Sequence, residues 1–330
     1  MIGKLFRLVL LLFVLGIGLA GGAVYWGFTK FHEPGPASAP TMLVIDQGMG
    51  VRAIADKLAA AGIIAEPLIF AAGVRVYAEG RPLRAGEYEF PARASMRQAM
   101  QQMIDGATVV RRLTIPEGLT SAEIVALVAA ASGLEGTLPP AVPADGTLLP
   151  ETYFYSKGDS RAQILARMET AMTEALAELW PLRDEAVPLT TTAAAVTLAS
   201  IVEKETGKAE ERPRVAAVFF NRLARGMPLQ SDPTVIYALT DGAGPLDRAL
   251  TRADLQVADP FNTYVNAGLP PGPIANPGRA SLDAVLHPAT TKDLYFVADG
   301  TGGHAFAETL DEHNRNVAAW RKLQTQQSSQ

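Results

Sequence analysis

The chain has 330 residues, 48% of them hydrophobic, with 29 Lys and Arg against 34 Asp and Glu and no cysteine. Such a length allows two or three domains with cores of their own, while a net charge of −5 supplies no basic face for nucleic acid. The absence of cysteine removes disulfides, thiolate nucleophiles and thiolate metal sites together, and leaves the compartment open.

Two positive charges, Lys4 and Arg7, precede a stretch from Leu8 to Thr29 without a charged residue. About 22 residues span about 33 Å as a helix, enough for a hydrocarbon core of about 30 Å. We therefore expect a cytoplasmic N-terminus (1–7) and a single transmembrane helix (8–29), oriented by Lys4 and Arg7. The rival is a signal peptide cut after Gly18-Leu-Ala20. Against it, Val24-Tyr-Trp-Gly-Phe28 keeps the stretch apolar, and Tyr25 and Trp26 suit an interfacial belt, so an uncleaved anchor is the reading. Gly16-Ile-Gly-Leu-Ala-Gly21 spells the dinucleotide fingerprint but lies inside the span, without strand, turn or acidic partner, and is rejected. Gly18 and Gly22, four apart, read instead as a small-residue packing face.

Residues 30–42 are Pro-rich and read as a linker. Beyond them a pattern occurs twice. Val44-Ile-Asp-Gln-Gly48 leads into Val51–Gly62, and Leu113-Thr-Ile-Pro-Glu-Gly118 leads into Ser121–Ala131. Each copy predicts a short strand, a glycine turn and an amphipathic helix. Glu87-Tyr-Glu-Phe90 followed by Ser95–Ile104 has the same grammar, with Met96, Met100, Met103 and Ile104 on one core face. Units of this kind resemble LysM modules, which bind glycans in other cell-wall proteins. We place a LysM-like region at 43–112, and the second strand–turn–helix repeat with a connecting helix (Ser160–Leu179) at 113–188.

The central stretch runs from Thr190 to Val202 without Gly, Pro or charge and then reads Glu203-Lys-Glu-Thr-Gly207. Gly207 is expected to cap the helix in the left-handed conformation. Glu205 then falls in the last turn, where exposed carbonyls disfavour a carboxylate by about 0.3–1 kcal/mol. That field, with burial on an apolar helix, raises a carboxyl pKa and keeps a proton available, as a general acid requires. The plain alternative is an ordinary charged helix end. Pro213 suits the start of a further helix, and 226–237 and 261–264 read as polar loops. Gly268–Gly278 is too irregular for a regular element and reads as a shaped loop lining a cleft. Leu294–Val297 predicts a strand turning at 298–304, Thr309–Leu323 a closing helix, and 324–330 a frayed tail.

His32, His287, His304 and His313 show no ligand spacing, so no metal is expected. No nucleophile elbow and no phosphate-binding loop occur, since Thr206-Gly-Lys-Ala209 lacks the required flanks. Carboxylates and polar loops remain, which points to glycoside chemistry.

Ala199-Ser-Ile-Val-Glu-Lys-Glu-Thr206, Glu211-Arg212, Val218-Phe-Phe-Asn-Arg-Leu223, Leu229-Gln-Ser-Asp-Pro-Thr-Val235, Tyr264, Gly268-Leu-Pro-Pro-Gly272, His287-Pro-Ala289 and Tyr295–Gly300 with Gly303-His304 closely resemble the MltG (YceG-like) endolytic murein transglycosylases. The resemblance covers nearly the whole chain. It departs at Pro150-Glu-Thr-Tyr153, where the family usually shows Asp for Glu. It implies an α+β protein: an N-terminal transmembrane helix, a LysM-like α+β region, and an α+β catalytic domain (189–323) with a catalytic helix end and cleft-forming loops. It implies cleavage of MurNAc–GlcNAc bonds within nascent peptidoglycan glycan strands, giving 1,6-anhydro ends and terminating elongation. It places the catalytic role on Glu205, with Thr206 orienting the acid. Gln230, Asp232, Asn262, Tyr264 and His304 are assigned to substrate binding together with Thr206, a loop-fixing hydrogen bond being the competing role for each of the first five. No cofactor is implied. The implied setting is the inner membrane, with the catalytic domain periplasmic and a penicillin-binding synthase as partner. The alternative is a catalytically silent, membrane-tethered glycan-binding scaffold for such a synthase.

Overall fold

The computed structural model describes residues 2–327; Met1 and 328–330, the end of the expected tail, lie outside the described residues. The chain divides into two compact units, Met1–Arg111 with Tyr155–Gly158, and Arg112–Phe154 with Asp159–Gln330.

The first unit opens with α1 (Ile2–His32), whose apolar side chains from Phe6 to Phe28 are almost all exposed. Its last turn is different: Phe31 is only 1% exposed and stacks on Tyr77 with ring centroids 5.3 Å apart. Strand β1 (Thr41–Ile45) pairs antiparallel with β2 (Gly86–Phe90). Helices α2 (Val51–Ala60), α3 (Pro67–Tyr77) and α4 (Met96–Asp105) complete the unit. Ile54, Leu58, Phe70, Tyr88, Phe90, Met100 and Met103 form its core around Phe31. α4 starts with a capping box, in which the Ser95 hydroxyl accepts from Gln98 N–H and the Gln98 side chain accepts from Ser95 N–H. The 30–42 stretch, read as a linker, is fastened to this unit: Gly35 N–H donates to Arg93 O, and Arg93 N–H to Ala37 O. Gly73 admits the Phe31 ring, because a Cβ there would overlap it.

β3 (Arg111–Thr114) pairs with β4 (Thr152–Tyr155), all but their end residues Arg111 and Tyr155 belonging to the second unit, and α5 (Ser121–Ala130) follows β3. Both copies of the repeated pattern are built alike: a strand, a left-handed glycine (Gly48, φ 80°; Gly118, φ 78°) and a ten-residue helix. The first copy belongs to one unit and the second to the other. After α6 (Arg161–Leu179) comes α7 (Thr192–Glu205), surrounded by α8 (Arg212–Ala224), α9 (Asp232–Thr240) and α10 (Arg279–Leu286). The hairpin β5 (Tyr295–Ala298) and β6 (His304–Ala307) packs on α11 (Leu310–Gln327). The segment 324–327, expected to be frayed, continues this helix.

Every residue of α7 from Ala195 to Val202 is buried, which explains why a run without charge or glycine was needed there. Its Ser200 hydroxyl accepts from Ile274 N–H, pinning the 268–278 loop. Fully buried Asn276, two residues on, fastens the same end of that loop, donating to Leu119 O and Ser121 Oγ and accepting from Leu148 N–H.

Two substitutions test this packing. Phe31→Ala is expected to cost about 3–5 kcal/mol, and Leu198→Ala about 2–5 kcal/mol. Denaturant unfolding of the detergent-solubilised chain checks both. If Phe31→Ala cost no more than an exposed substitution in α1, the last turn of α1 would not belong to the core.

Candidate functional site

The C-terminal turn of α7 carries two carboxylates on opposite sides, as two residues turn a helix by about 200°. Glu203 faces inward. Its Oε1 accepts from Arg212 Nη2 at 3.0 Å, and its Oε2 from Gly278 N–H at 2.9 Å, where Gly278 is the N-cap of α10. Arg212 also reaches Glu117 at 3.2 Å. Glu203 is therefore a structural tie between α7, α8 and α10.

Glu205 faces the loops. Its Oε1 accepts a 2.5 Å hydrogen bond from the Ser231 hydroxyl. Ser231 is the N-cap of α9, a position whose side chain ordinarily caps its own helix. Here it makes no cap bond and turns to Glu205 instead. A hydroxyl relay holds it there: Ser231 N–H donates to Thr263 Oγ1 at 3.0 Å, and Thr234 Oγ1 donates to Ser231 O at 2.7 Å. Thr234 and Thr263 hydroxyls are themselves 2.8 Å apart, and both side chains are fully buried.

Burial pushes the Glu205 carboxyl up to about 7, and the Asp232 charge adds to that. The Ser231 hydrogen bond, His304 and Arg222 pull the other way without cancelling it. The residue as a whole is half-buried, between exposed Lys204 and buried Thr206. Its place at the C-terminal end of α7 further disfavours the charged form.

The helix does not end as expected. Gly207 is not left-handed; the cap is Thr206, extended at φ −139° and ψ 130°. The Thr206 hydroxyl accepts from Lys208 N–H at 3.1 Å and donates to Glu211 at 3.4 Å, so it steadies the chain leaving α7. The hydroxyl bonded to the acid comes from Ser231. The Thr206 backbone N–H closes the last turn onto Val202 O at 3.3 Å without a left-handed residue.

The other expected residues fall into three kinds of place. His304 Nδ1 lies 2.7 Å from Glu211 Oε2, and His304 N–H donates to Glu211 Oε1 at 3.0 Å. Burial opposes the Glu211 charge, but these His304 bonds hold its carboxyl below the ordinary value. Tyr264 donates to Asp232 Oδ1 at 2.6 Å, and burial with that bond raises its phenol. Asn262 is fully buried and spends its amide on the loop, donating to Leu255 O and Val257 O and accepting from Tyr264 N–H. Gln230 is exposed and sits at φ 50°, a left-handed conformation that costs a non-glycine residue about 1–3 kcal/mol. Its N–H bond to Thr263 O helps to hold it.

Three functional neighbours were not singled out in the sequence. Ser231 lay inside a motif read as a loop, although Ser-Asp-Pro before an apolar run is a helix-start signal. Glu211 is visible only once His304 is beside it. Buried Arg222 donates to Leu294 O at 2.6 Å and Leu229 O at 2.7 Å, fixing β5 and the 228–229 chain behind the acid. Lys204, on the other flank of the same turn, borders a groove of about 330 Å³ between α5 and α9, lined also by Thr120, Glu123, Pro233 and Ile236. Among the described residues no group of three or more His, Asp or Glu side chains could hold a metal ion.

Two substitutions separate the carboxylates. Glu203→Gln is expected to cost about 2–4 kcal/mol of stability, since buried Arg212 loses a charged partner. Ser231→Ala removes a bond that favours the charged acid, so it raises the Glu205 pKa and moves the alkaline limb of a pH–rate profile upward. An unmoved limb would place Ser231 outside the reaction.

Residues 43–319 match the family model described as the YceG-like family. A relative from Bacillus subtilis (strain 168), named endolytic murein transglycosylase, is 30% identical over 328 residues, covering 90% of this chain and 89% of its own. A protein of the same name from Streptococcus pneumoniae serotype 2 (strain D39 / NCTC 7466) is 29% identical, over 83% of this chain but only 57% of its own length. A 2.6 Å crystal structure of a yceG-like protein from Listeria monocytogenes superposes with a TM-score of 0.52 at 32% identity, covering 84% of this chain and 99% of that one. With most of its length matched by the family model and by these relatives, the chain belongs to the YceG-like family.

Proposed function

We propose that this protein is a lytic transglycosylase acting on peptidoglycan, anchored in the inner membrane by α1 with its N-terminus cytoplasmic. It cleaves MurNAc–GlcNAc bonds inside nascent glycan strands on the periplasmic side and so ends elongation beside a penicillin-binding synthase. The observation that carries this reading is a half-buried Glu205 whose carboxyl pKa, about 7, lets it serve as acid and then as base.

Glu205 gives its proton to the glycosidic oxygen as the bond to MurNAc C1 breaks, and the bonding pair leaves with the GlcNAc oxygen. The Glu205 carboxylate next takes the proton of the MurNAc C6 hydroxyl as that oxygen attacks C1, closing the 1,6-anhydro ring. Carboxyl and proton return to their starting state, and water is not consumed. One group suffices where a hydrolase uses a carboxylate pair. Ser231 aims the carboxyl and stabilises its charged form between the two steps. Asp232, Tyr264, Gln230 and His304 are proposed to contact the sugars, and Asn262 to fix the loop that carries Tyr264.

A silent scaffold has no need of a desolvated acid, which costs stability. Because the folded pKa lies above the ordinary 4.5, that cost is absent below about pH 4.5 and grows as the pH rises through about 7. Glu205→Gln should therefore be more stable than the parent at pH 8, by about 1–3 kcal/mol, with the gain fading toward pH 5. The same substitution should lower anhydro-end formation from glycan strands by at least about 10²–10⁴-fold, measured by mass spectrometry. Anhydro ends at near parental rate would remove Glu205 from the reaction. Reducing ends from the parent protein would make it a hydrolase.

A further inference from the structure

Helix α3 was not evident in the sequence, and it exposes an unusual face. Leu68 and Val76 are 66% and 68% exposed, and with Ala72 between them, at four-residue spacing, they make one apolar stripe. The opposite side of the helix, with Phe70, Gly73 and Val74, is buried in the unit. Side by side with this stripe runs the end of α1. Phe31 seats against Gly73 and stacks on Tyr77, and His32 meets Tyr77 edge-on at 5.9 Å, so the alignment of the two helices is fixed. Between them lies a groove of about 450 Å³ whose lining includes Val24, Trp26, Phe28, Leu68, Ile69 and Val76.

We propose that the α1–α3 face is a bilayer-docking surface, with α3 lying in the outer-leaflet interface and the groove taking lipid acyl chain. This rests on the reading of α1 as a membrane span and adds a second membrane element to it. The stripe is continuous with the exposed apolar surface of α1, so lipid that covers Val24 and Phe28 reaches Leu68 and Val76 without a break. The rim has the chemistry of an interface. Tyr77 and Trp26 supply amphipathic rings, Arg75 is exposed beside the stripe, and Arg97 lies 3.1 Å from His32 at the end of α1. Glu33 is taken up by Lys30. An apolar helix face flanked by cations and aromatic rings is the pattern of an interfacial helix. A pinned helix with such a face would hold the first unit at one depth, where a flexible tether would let it roam.

The cysteine-free chain makes the test direct. Single cysteines at Leu68→Cys, Val76→Cys, Leu12→Cys and Arg52→Cys are labelled with an environment-sensitive fluorophore, and the full chain is reconstituted in nanodiscs of anionic lipid. Lipids carrying a spin label near the headgroup or deep in the chain serve as quenchers. The Leu68 and Val76 sites should be quenched several-fold more by the shallow label than the Arg52 site, while Leu12 is quenched by the deep label. If Leu12 is quenched but Leu68 and Val76 behave like Arg52, the docking surface is overturned and the span stands. If those two sites are shielded from water yet unquenched by either label, another protein surface covers them and lipid is the wrong occupant. If Leu12 too escapes quenching, span and docking surface fall together.

Discussion

The hydrogen bond from Ser231 to Glu205 is the contact on which the site depends, because it joins the end of one helix to the start of another. A carboxyl at the end of a buried helix is electrostatically misplaced, and burial alone would hold it neutral throughout the working range. A single strong donor moderates that effect, and the acid stays near the midpoint of its titration at neutral pH. The donor in turn is held by backbone and threonine contacts that leave it little freedom. Ser231 gives up its usual capping bond to do this, and the adjacent Gln230 adopts a left-handed backbone. Departures from local preference thus gather at the residue that contacts the acid and at its chain neighbour, as expected where geometry is selected over stability.

The remainder of the second unit supports that geometry. α7 is buried along most of its length, so its last turn cannot shift without disturbing the core. Glu203 locks the inner side of the same turn to Arg212 and to the N-cap of α10, and Arg222 braces β5 and the chain leading to Ser231. The two carboxylates differ in role because they differ in surroundings. Glu203 is paired with a cation and a backbone N–H, whereas Glu205 meets one hydroxyl and a desolvating wall.

Much of this was legible in the residues, for identifiable reasons. The charge-free run before Glu203 announced a buried helix, and the paired Gly48 and Gly118 announced two strand–turn–helix units because each needs a positive φ. Glu205 stood out because its position broke a local electrostatic rule. What escaped were the elements whose signals are short or ambiguous. Helices α9 and α10 begin beside proline- and glycine-rich text that reads as loop, and α3 contains a glycine and several β-branched residues. Gly207 misled because a glycine after a helix usually caps it, while here Thr206 takes an extended backbone and its hydroxyl turns forward to Lys208 N–H and Glu211. Ser231 and Glu211 were invisible for a different reason, since each acquires meaning from a residue far away in sequence.

The chemistry proposed for this site needs one proton held by Glu205 near neutrality. Carboxyl ¹³C NMR titration of the glutamate-labelled protein, with the Glu205→Gln variant identifying the resonance, reads that directly. The expected result is a titration midpoint near 7, well above that of ordinary glutamates, moving further up in Ser231→Ala. A midpoint in the ordinary range near 4.5 would contradict that chemistry, because the carboxyl would then have almost no proton to give at neutral pH.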